Sequence, residues 1–537
     1  MRTGGNRSRV RTERRRDDEE VSQGDRSHVC LGAGGGLLAC SSQEAEQGDS
    51  KDRKYTITSI DFLYTDIPPK DGRGVEMINE RFNVDYQREY VVYTEYVQKL
   101  TARVASGDIP DVIGFEGDID KTNFFKWAKQ GAFLPLNDYI DDYPTLKMVP
   151  KEVWDAVSVD GKIYAIPKYY PKNYLLTPII RKDWLDKLGL EMPTNYEELK
   201  EVAIAFAKED PDGNGKDDTY GLVFGEKVWP NYHFGSYWDA DAWYHKNGKG
   251  QYIPGIISDA RKDWIKTMAE LYKEGAIQKD FVLLNPNEAN TRVFYSGKAG
   301  IMVGAPRGMS DDYMKALKKI HPEAELAAIP PFEAPDGSQG YTAGSGYYTM
   351  TALSAKLADD PGKVHRILEI IDFGRKFYPP EQQNPENKDF DWLYGHEGKG
   401  YQMVDGVVTP PEWKKGLAPF NYLIDNKMWA PSDEANQYHL TYETKEYRKL
   451  AKDLQEMHAS TKHYQNPIHQ VYSKTFVEKG QEITEKLLNE QARMITGDLP
   501  LSEWDRVVQA YLDSGGAQII EEVNQEIQKK KIEPGWK

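Results

Sequence analysis

Hydrophobic and polar positions fall into a regular order from Lys54 onward. The run YTITSIDFLYT reads as a strand, VEMINERFN as a helix and YQREYVVY as a second strand. A helix opens at Thr94 with Val97, Leu100, Thr101 and Val104 on one face, and closes at Ser106, Gly107 and Asp108 ahead of a short strand over 111–115. Strand, helix, strand, helix, strand implies parallel crossovers. Ligands of such sheets sit beyond the carboxyl ends of the strands, which singles out Tyr64, Thr65 and Asp66 after the first strand and Glu116 and Asp118 after the third.

A helix is expected over 123–131, and SVDGKIYAIP carries Asp160 and Gly161 at the centre of a hairpin. A second α/β unit follows. Thr194 and Glu197 have capping-box spacing, with Leu199, Val202, Ala203 and Phe206 on one face. Helix 259–274 carries Trp264, Met268, Leu271 and Tyr272 and stops at Gly275, before the strand-like GKAGIMVGAP. The Gly- and Tyr-rich stretch 341–349 ends before a helix over 360–377. The pattern gives an α/β chain with two lobes, several short crossings and a cleft. Lobe 1 is expected over 54–175 and lobe 2 over 176–344, with a return to lobe 1 over 345–380 and a mostly helical part, 381–537, completing both.

At 537 residues the chain has room for three to four domain-sized units. Its 69 basic and 85 acidic side chains give a formal charge of −16, which argues against nucleic acid as a partner. No run of eighteen apolar residues offers a membrane span. Tyr outnumbers Phe 34 to 17 beside 12 Trp, and rings with a polar handle suit wet clefts as well as cores.

The two cysteines, Cys30 and Cys40, precede the regular part, so the body has no disulfide, cysteine nucleophile or cysteine zinc site. LLAC at 37–40 resembles a lipobox, which makes 1–40 an atypical signal segment, Cys40 the lipidated residue and 41–53 a polar tether. The alternative for this segment is an Arg- and Gly-rich extension without an address.

Five motifs in order carry a family resemblance: ASGDIPDV at 105–112, GAFLPLN at 131–137, DGKIYAIP at 160–167, RKDWLDKLG at 181–189 and SGKAG at 296–300. They resemble the extracellular solute-binding proteins of ABC importers, the group that includes maltose- and oligosaccharide-binding members, and most of all its long lipoprotein subgroup. The resemblance implies a two-lobed periplasmic-binding-protein-like fold, each lobe a sheet flanked by helices, with a multi-strand hinge. It further implies an oligosaccharide ligand, permease subunits with a separate ATPase as partners, a monomer, and a lipid anchor on the extracellular face of a bacterial membrane.

Residues 210–221 read DPDGNGKDDTYG. Asp210, Asp212, Asn214 and Asp218 with the Lys216 carbonyl stand at alternate positions able to surround Ca²⁺. Gly221 stands where an EF-hand places its bidentate Glu, so the last ligand must come from a bidentate Asp, Asp217, Thr219 or water. The loop is similar to the structural calcium loop of the family's alginate- and glycosaminoglycan-binding members, with Thr219 in place of an acid; the alternative is an ordinary Asp/Asn/Gly turn.

Sugar sites combine aromatic platforms with paired polar groups. Beyond the residues already placed at strand ends, the candidate contacts are Tyr169, Tyr170, Asn173 and Tyr174 at the first crossing, Trp238, Asp239, Asp241 and Trp243 in the WDADAW loop, Tyr347 and Tyr348 at the second crossing, Arg307, and Trp429. Both loop tryptophans are expected to stay accessible, because WDADAW has no amphipathic period. The alternatives to an importer's receptor are a secreted glycan-degrading enzyme and a surface sensor or adhesion module. HExxH, GxSxG, Walker and GxGxxG signatures are absent, and His458, His463 and His469 read as exposed helix residues.

Overall fold

A computed structural model describes residues 53–63, 66–174, 176–228, 232–285, 288–304, 309–404 and 406–533. The chain begins strand β1 (Tyr55–Leu63), helix Arg73–Phe82, β2 (Val84–Val92), helix Tyr93–Ser106, β3 (Val112–Glu116), as the periodicity predicts. Each helix returns the chain so that β1 pairs in parallel with β2 and β3. Asn83 and Gly107 end the two helices in the left-handed conformation, which breaks the helical run and releases the next strand.

The helix Gly117–Lys129 and the hairpin β4 (Ser158–Val159) and β5 (Lys162–Ile163), turned at Asp160 and Gly161, lead to β6 (Ala165–Tyr169). Residues 170–176 then carry the chain into β7 (Thr177–Arg181), which starts a second sheet with β8 (Tyr220–Leu222). A small hairpin, β9 (His245–Lys246) and β10 (Tyr252–Ile253), precedes the helix Asp259–Lys273 and β11 (Ala299–Gly304). After β12 (Leu326–Ala328) and β13 (Tyr341–Ala343), three residues bring the chain back to β14 (Tyr347–Leu353). Helix Pro361–Arg375, the hairpin β15 (Gln402–Val404) and β16 (Val407–Thr409), helix Lys445–Ser460 and β17 (His463–Gln465) follow. Helices Lys474–Thr496, Trp504–Tyr511 and Ala517–Lys530 complete the described chain. Residues 394–444 hold that hairpin and short helical turns but no long helix, because prolines and glycines punctuate them.

The first sheet has the order β2-β1-β3-β14-β6 and the second β12-β7-β11-β8. On the second, side-chain alternation separates two cores. Ile180, Ile301 and Val303 pack toward helices Tyr196–Lys208 and Asp259–Lys273, whereas Ile179 and Met302 pack toward Lys445–Ser460. The helix over 196–208 is capped one residue away from the expected box. Asn195 accepts from the Glu198 amide at 3.0 Å, and Thr194 donates through N–H and Oγ1 to Glu198 Oε2 at 2.8 Å.

In the terminal helical layer, Glu522 caps a different helix from its own. Its carboxylate accepts Ser473 Oγ at 2.6 Å, the Thr475 amide at 2.9 Å and Thr475 Oγ1 at 2.8 Å at the start of Lys474–Thr496. Partial burial raises this carboxyl, but those donors and Gln518 outweigh it and hold it at about 2. A depressed carboxyl stabilises the fold fully above its unfolded value near 4.5, and that contribution is lost as pH falls toward about 2. Glu522→Gln is therefore expected to cost about 1 kcal/mol at neutral pH after solvent screening, and nothing near pH 2, by urea denaturation across that range. An equal cost at both ends would remove the charge from this account.

Candidate ligand cleft

The registers bring three strand termini to one edge of the first sheet. Thr349 lies opposite Glu116 at the end of β3, and Tyr347 lies opposite Tyr169 at the end of β6. Between Tyr347 and Thr349 the ladder slips at a β-bulge. A bulge re-aims the side chain it carries. Tyr347 is accordingly buried (6% exposed), while Tyr348 stands out at 42%. Its hydroxyl donates to Glu116 Oε1 at 2.5 Å, and the Tyr170 ring lies 5.6 Å away at 42°. Gly117 keeps this approach possible, since a Cβ there would sit 2.2 Å from the Tyr348 carbonyl. The result is a paired-tyrosine platform held by a buried carboxylate, at the edge where the chain crosses between sheets. Leu176, half exposed on the same crossing, adds apolar surface.

Beneath the platform the crossings are tied together. Asp433 accepts the Tyr169 hydroxyl and, through Oδ2, the backbone amides of Lys172 and Asn173, both at 2.8 Å. Burial first, then Tyr438 and Asp433, drive the Tyr169 hydroxyl far above its ordinary range, so it remains a donor. Arg375 and Asp425 form a fully buried pair at 2.7 Å, with the guanidinium also over Trp429. One strand layer away, Asp61 accepts Arg88 at 2.8 Å and Lys168 at 3.1 Å. The Lys168 side chain runs from β6 to β1, and Gly114 leaves room beside Asp61 where a Cβ would meet its carboxylate at 2.0 Å.

Several candidate contacts prove to be interior. Tyr174 packs edge-on to Tyr438 and His458, Trp429 packs edge-on to Tyr169, and Trp243 is buried with its amide donating to Asn466 Oδ1 at 3.2 Å. Trp238 lies against Tyr196, and the loop expected to leave both tryptophans accessible buries both. Long-range partners achieve this: Asp239 accepts Thr342 Oγ1 of β13 at 2.5 Å, and Asn466 reaches the Asp241 carbonyl at 3.0 Å. Asn173 contributes its amide to Asp433, and Asp66 pairs at the surface with Lys414 at 2.9 Å. Glu116 and Tyr170 are the candidates brought together with Tyr348. Tyr64, Arg307, Cys40 and the side chain of Asp118 lie outside the described residues.

His458, read as an exposed helix residue, is buried at the junction. Its Nε2 pairs with Thr177 Oγ1 at 2.8 Å and its Nδ1 with His463 Nε2 at 3.0 Å. Burial, then His463, depress it to about 3, so this contact between crossings is made by neutral imidazoles.

In the 210–221 loop, Gly213 and Gly215 adopt φ of +72° and +76°, which curls the chain. Asp212 Oδ2 and Asp218 Oδ1 converge on Asn214 Nδ2 at 2.7 and 3.0 Å, and Asp210 accepts the amides of Asn214 and Gly215 at 3.0 Å. Burial raises the Asp212 carboxyl, and the negative charges of Asp210 and Asp218 add to that. No cluster of three or more His, Cys, Asp or Glu arranged for a metal occurs among the described residues.

Two α/β sheets joined by short crossings, with an aromatic platform at the junction, define the class of two-lobed binding proteins. The family described as bacterial extracellular solute-binding protein matches residues 75–363, just over half of the chain, and this protein belongs to it. Over 508 residues it is 27% identical to the polygalacturonan/rhamnogalacturonan-binding protein YtcQ of Bacillus subtilis, covering 94% of this chain and 98% of that one. It is 26% identical over 515 residues to lipoprotein LipO of the same organism, covering 92% and 96%. The fold is like that of the alginate-binding protein AlgQ2 crystallised without calcium ion, with a TM-score of 0.62, 20% identity and coverage of 89% and 98%. Among the described residues no helix is long and apolar enough to cross a membrane.

Proposed function

We propose that this protein captures an oligosaccharide between its lobes and hands it, unaltered, to separate permease subunits driven by a separate ATPase. The exposed Tyr348, propped by Glu116 beside Tyr170, carries the reading. A pyranose offers an apolar C–H face to such a ring and hydroxyls to the polar groups around it. Contacts from both lobes are complete only when closed, so ligand shifts an open and closed equilibrium. The ligand named for YtcQ puts polygalacturonan and rhamnogalacturonan fragments first among oligosaccharides to test. Calorimetry with defined fragments, followed by mass spectrometry of the recovered sugar, tests the proposal: saturable binding and an intact ligand are expected. Shortened or unsaturated products would instead make it a glycan-degrading enzyme.

The protein acts as a monomer and is held at the extracellular face by lipid on Cys40; a lipoprotein relative supports the anchor. Ca²⁺ in the 210–221 loop plays a stabilising part, since it neutralises carboxylates that otherwise crowd one another. Millimolar Ca²⁺ is expected to raise the melting temperature by a few degrees over EDTA, and Asp212→Asn with Asp218→Asn to abolish the difference. Equal melting with and without Ca²⁺ would remove the metal from this account.

A further inference from the structure

The first crossing, β13 and β17 meet at a pair of imidazoles. His458, 2% exposed, lies in the last turn of the helix Lys445–Ser460, and half-buried His463 opens β17, which pairs in parallel with β13. His458 Nδ1 lies 3.0 Å from His463 Nε2, and His458 Nε2 lies 2.8 Å from Thr177 Oγ1 at the start of β7. The backbone of Asn173 and Thr461 bonds the His463 ring and favours its proton-bearing form, as carbonyl acceptors do. The pair thus holds the crossing 170–176 at Asn173 and again just past its end at Thr177.

The surroundings single out the two rings as the groups that titrate here. Tyr174 of the crossing lies edge-on to His458 with centroids 5.7 Å apart, and Tyr341 of β13 lies 5.1 Å away at 42°. Burial holds both hydroxyls far above their ordinary range, with Glu434 adding to it at Tyr174, so neither carries a charge. Lys462, next to His463, has its ammonium over the Tyr464 ring at 4.5 Å. Burial opposes a charge on His463, whereas Asp433 and Glu434 favour one.

We propose that these imidazoles form an acid-sensitive lock on the junction, in which Thr177 Oγ1–H donates to His458 Nε2, His458 Nδ1–H to His463 Nε2, and His463 Nδ1–H to a backbone carbonyl. A first proton enters at His463, beside the two carboxylates, and is shared along the 3.0 Å contact. A second sets two N–H donors and two like charges against each other across that distance, so the contact parts and releases Asn173 and Thr177. Burial, then His463, hold His458 at about 3 in the closed lock, whereas the imidazoles of a parted junction titrate near 6.5. The neutral lock is therefore fully stabilising above about 6.5, and its advantage falls as acid drives proton uptake by the open form. Tyr170 heads the released crossing, its amide donating to the Gly346 carbonyl at 3.3 Å. Acid thereby weakens capture, a consequence that rests on the reading of the chain as a glycan binder.

Hydrogen exchange of the full chain without ligand, corrected for the intrinsic rate at each pH, reads the lock through peptides covering 170–174 and 461–466. Their opening constant is expected to be at least tenfold larger at pH 5 than at pH 7, since each imidazole freed to titrate near 6.5 contributes about 25-fold over that range. His458→Gln with His463→Gln keeps neutral donors and acceptors, and should change less than threefold. Equal opening at both pH values in the parent protein, or the same tenfold rise in the double variant, overturns the lock. Should the double variant fail to fold, ring ¹⁵N spectra of the parent protein decide. A proton on Nδ1 of both imidazoles at pH 7.5 is expected; one on Nε2 of either, or both rings titrating near 6.5 in the folded chain, overturns the lock. Calorimetry with trigalacturonate reads the coupling to capture: binding at least tenfold weaker at pH 5 than at pH 7 is expected, and equal affinity overturns that coupling. A junction that opens in acid, in a chain that binds no sugar at either pH, upholds the lock and sinks the glycan reading alone.

Discussion

Tyr348→Ala is expected to weaken oligosaccharide binding about thirty-fold, the equivalent of about 2 kcal/mol for truncating an aromatic anchor. The loss follows from position: Tyr348 is the large exposed ring at the bulge, with Glu116 fixing its hydroxyl and Tyr170 its flank. Tyr348→Phe keeps the face but leaves the buried Glu116 without that donor, so a smaller loss, about five-fold, is expected. Calorimetry on both variants reads the difference. Equal affinities for Tyr348→Ala and the parent protein would take the platform out of the binding site.

Asp61→Asn is expected to produce the largest loss of stability, about 3–5 kcal/mol, because it leaves Arg88 and Lys168 together and buried without a counter-charge. Burial pushes the Asp61 carboxyl up, and Lys168 and Arg88 more than reverse that, holding it below the ordinary carboxylate range. The stabilisation is accordingly complete above the unfolded carboxylate range and disappears as pH falls through the lower folded value. Urea denaturation at neutral pH measures the loss. Replacing Asp61, Arg88 and Lys168 together with Met should recover most of it, since the cost lies in the unpaired charges. A triple variant as unstable as Asp61→Asn would point to lost packing instead.

The first five elements were legible because β1 and β2 are single strands bounded by helices with one clear apolar face. The hairpin at Asp160 and Gly161 was legible because its turn demands those residues. A tyrosine pair at the second crossing was legible as well, but not which of the two emerges. β14 is buried on both faces from Met350 to Leu353, so alternation says nothing about which of Tyr347 and Tyr348 emerges, and a one-residue slip against β6 decides it. Glycines at 344 and 346 were the available signal of irregular pairing. Trp238 and Trp243 misled for a related reason: an irregular loop has no period, and their burial depends on Thr342, 103 residues from Asp239, and Asn466, 223 residues from Trp243. His458 follows the helix period, but its neutral junction role depends on Thr177 and His463, which no local pattern joins to it.

Small-angle scattering of the full chain, with and without an oligosaccharide already shown by calorimetry to bind, tests the claim of closure around a guest most directly. The radius of gyration should fall at saturation in the parent protein and fall far less in Tyr348→Ala at the same, just-saturating sugar concentration. A parent protein saturated with sugar yet unchanged in size would contradict it.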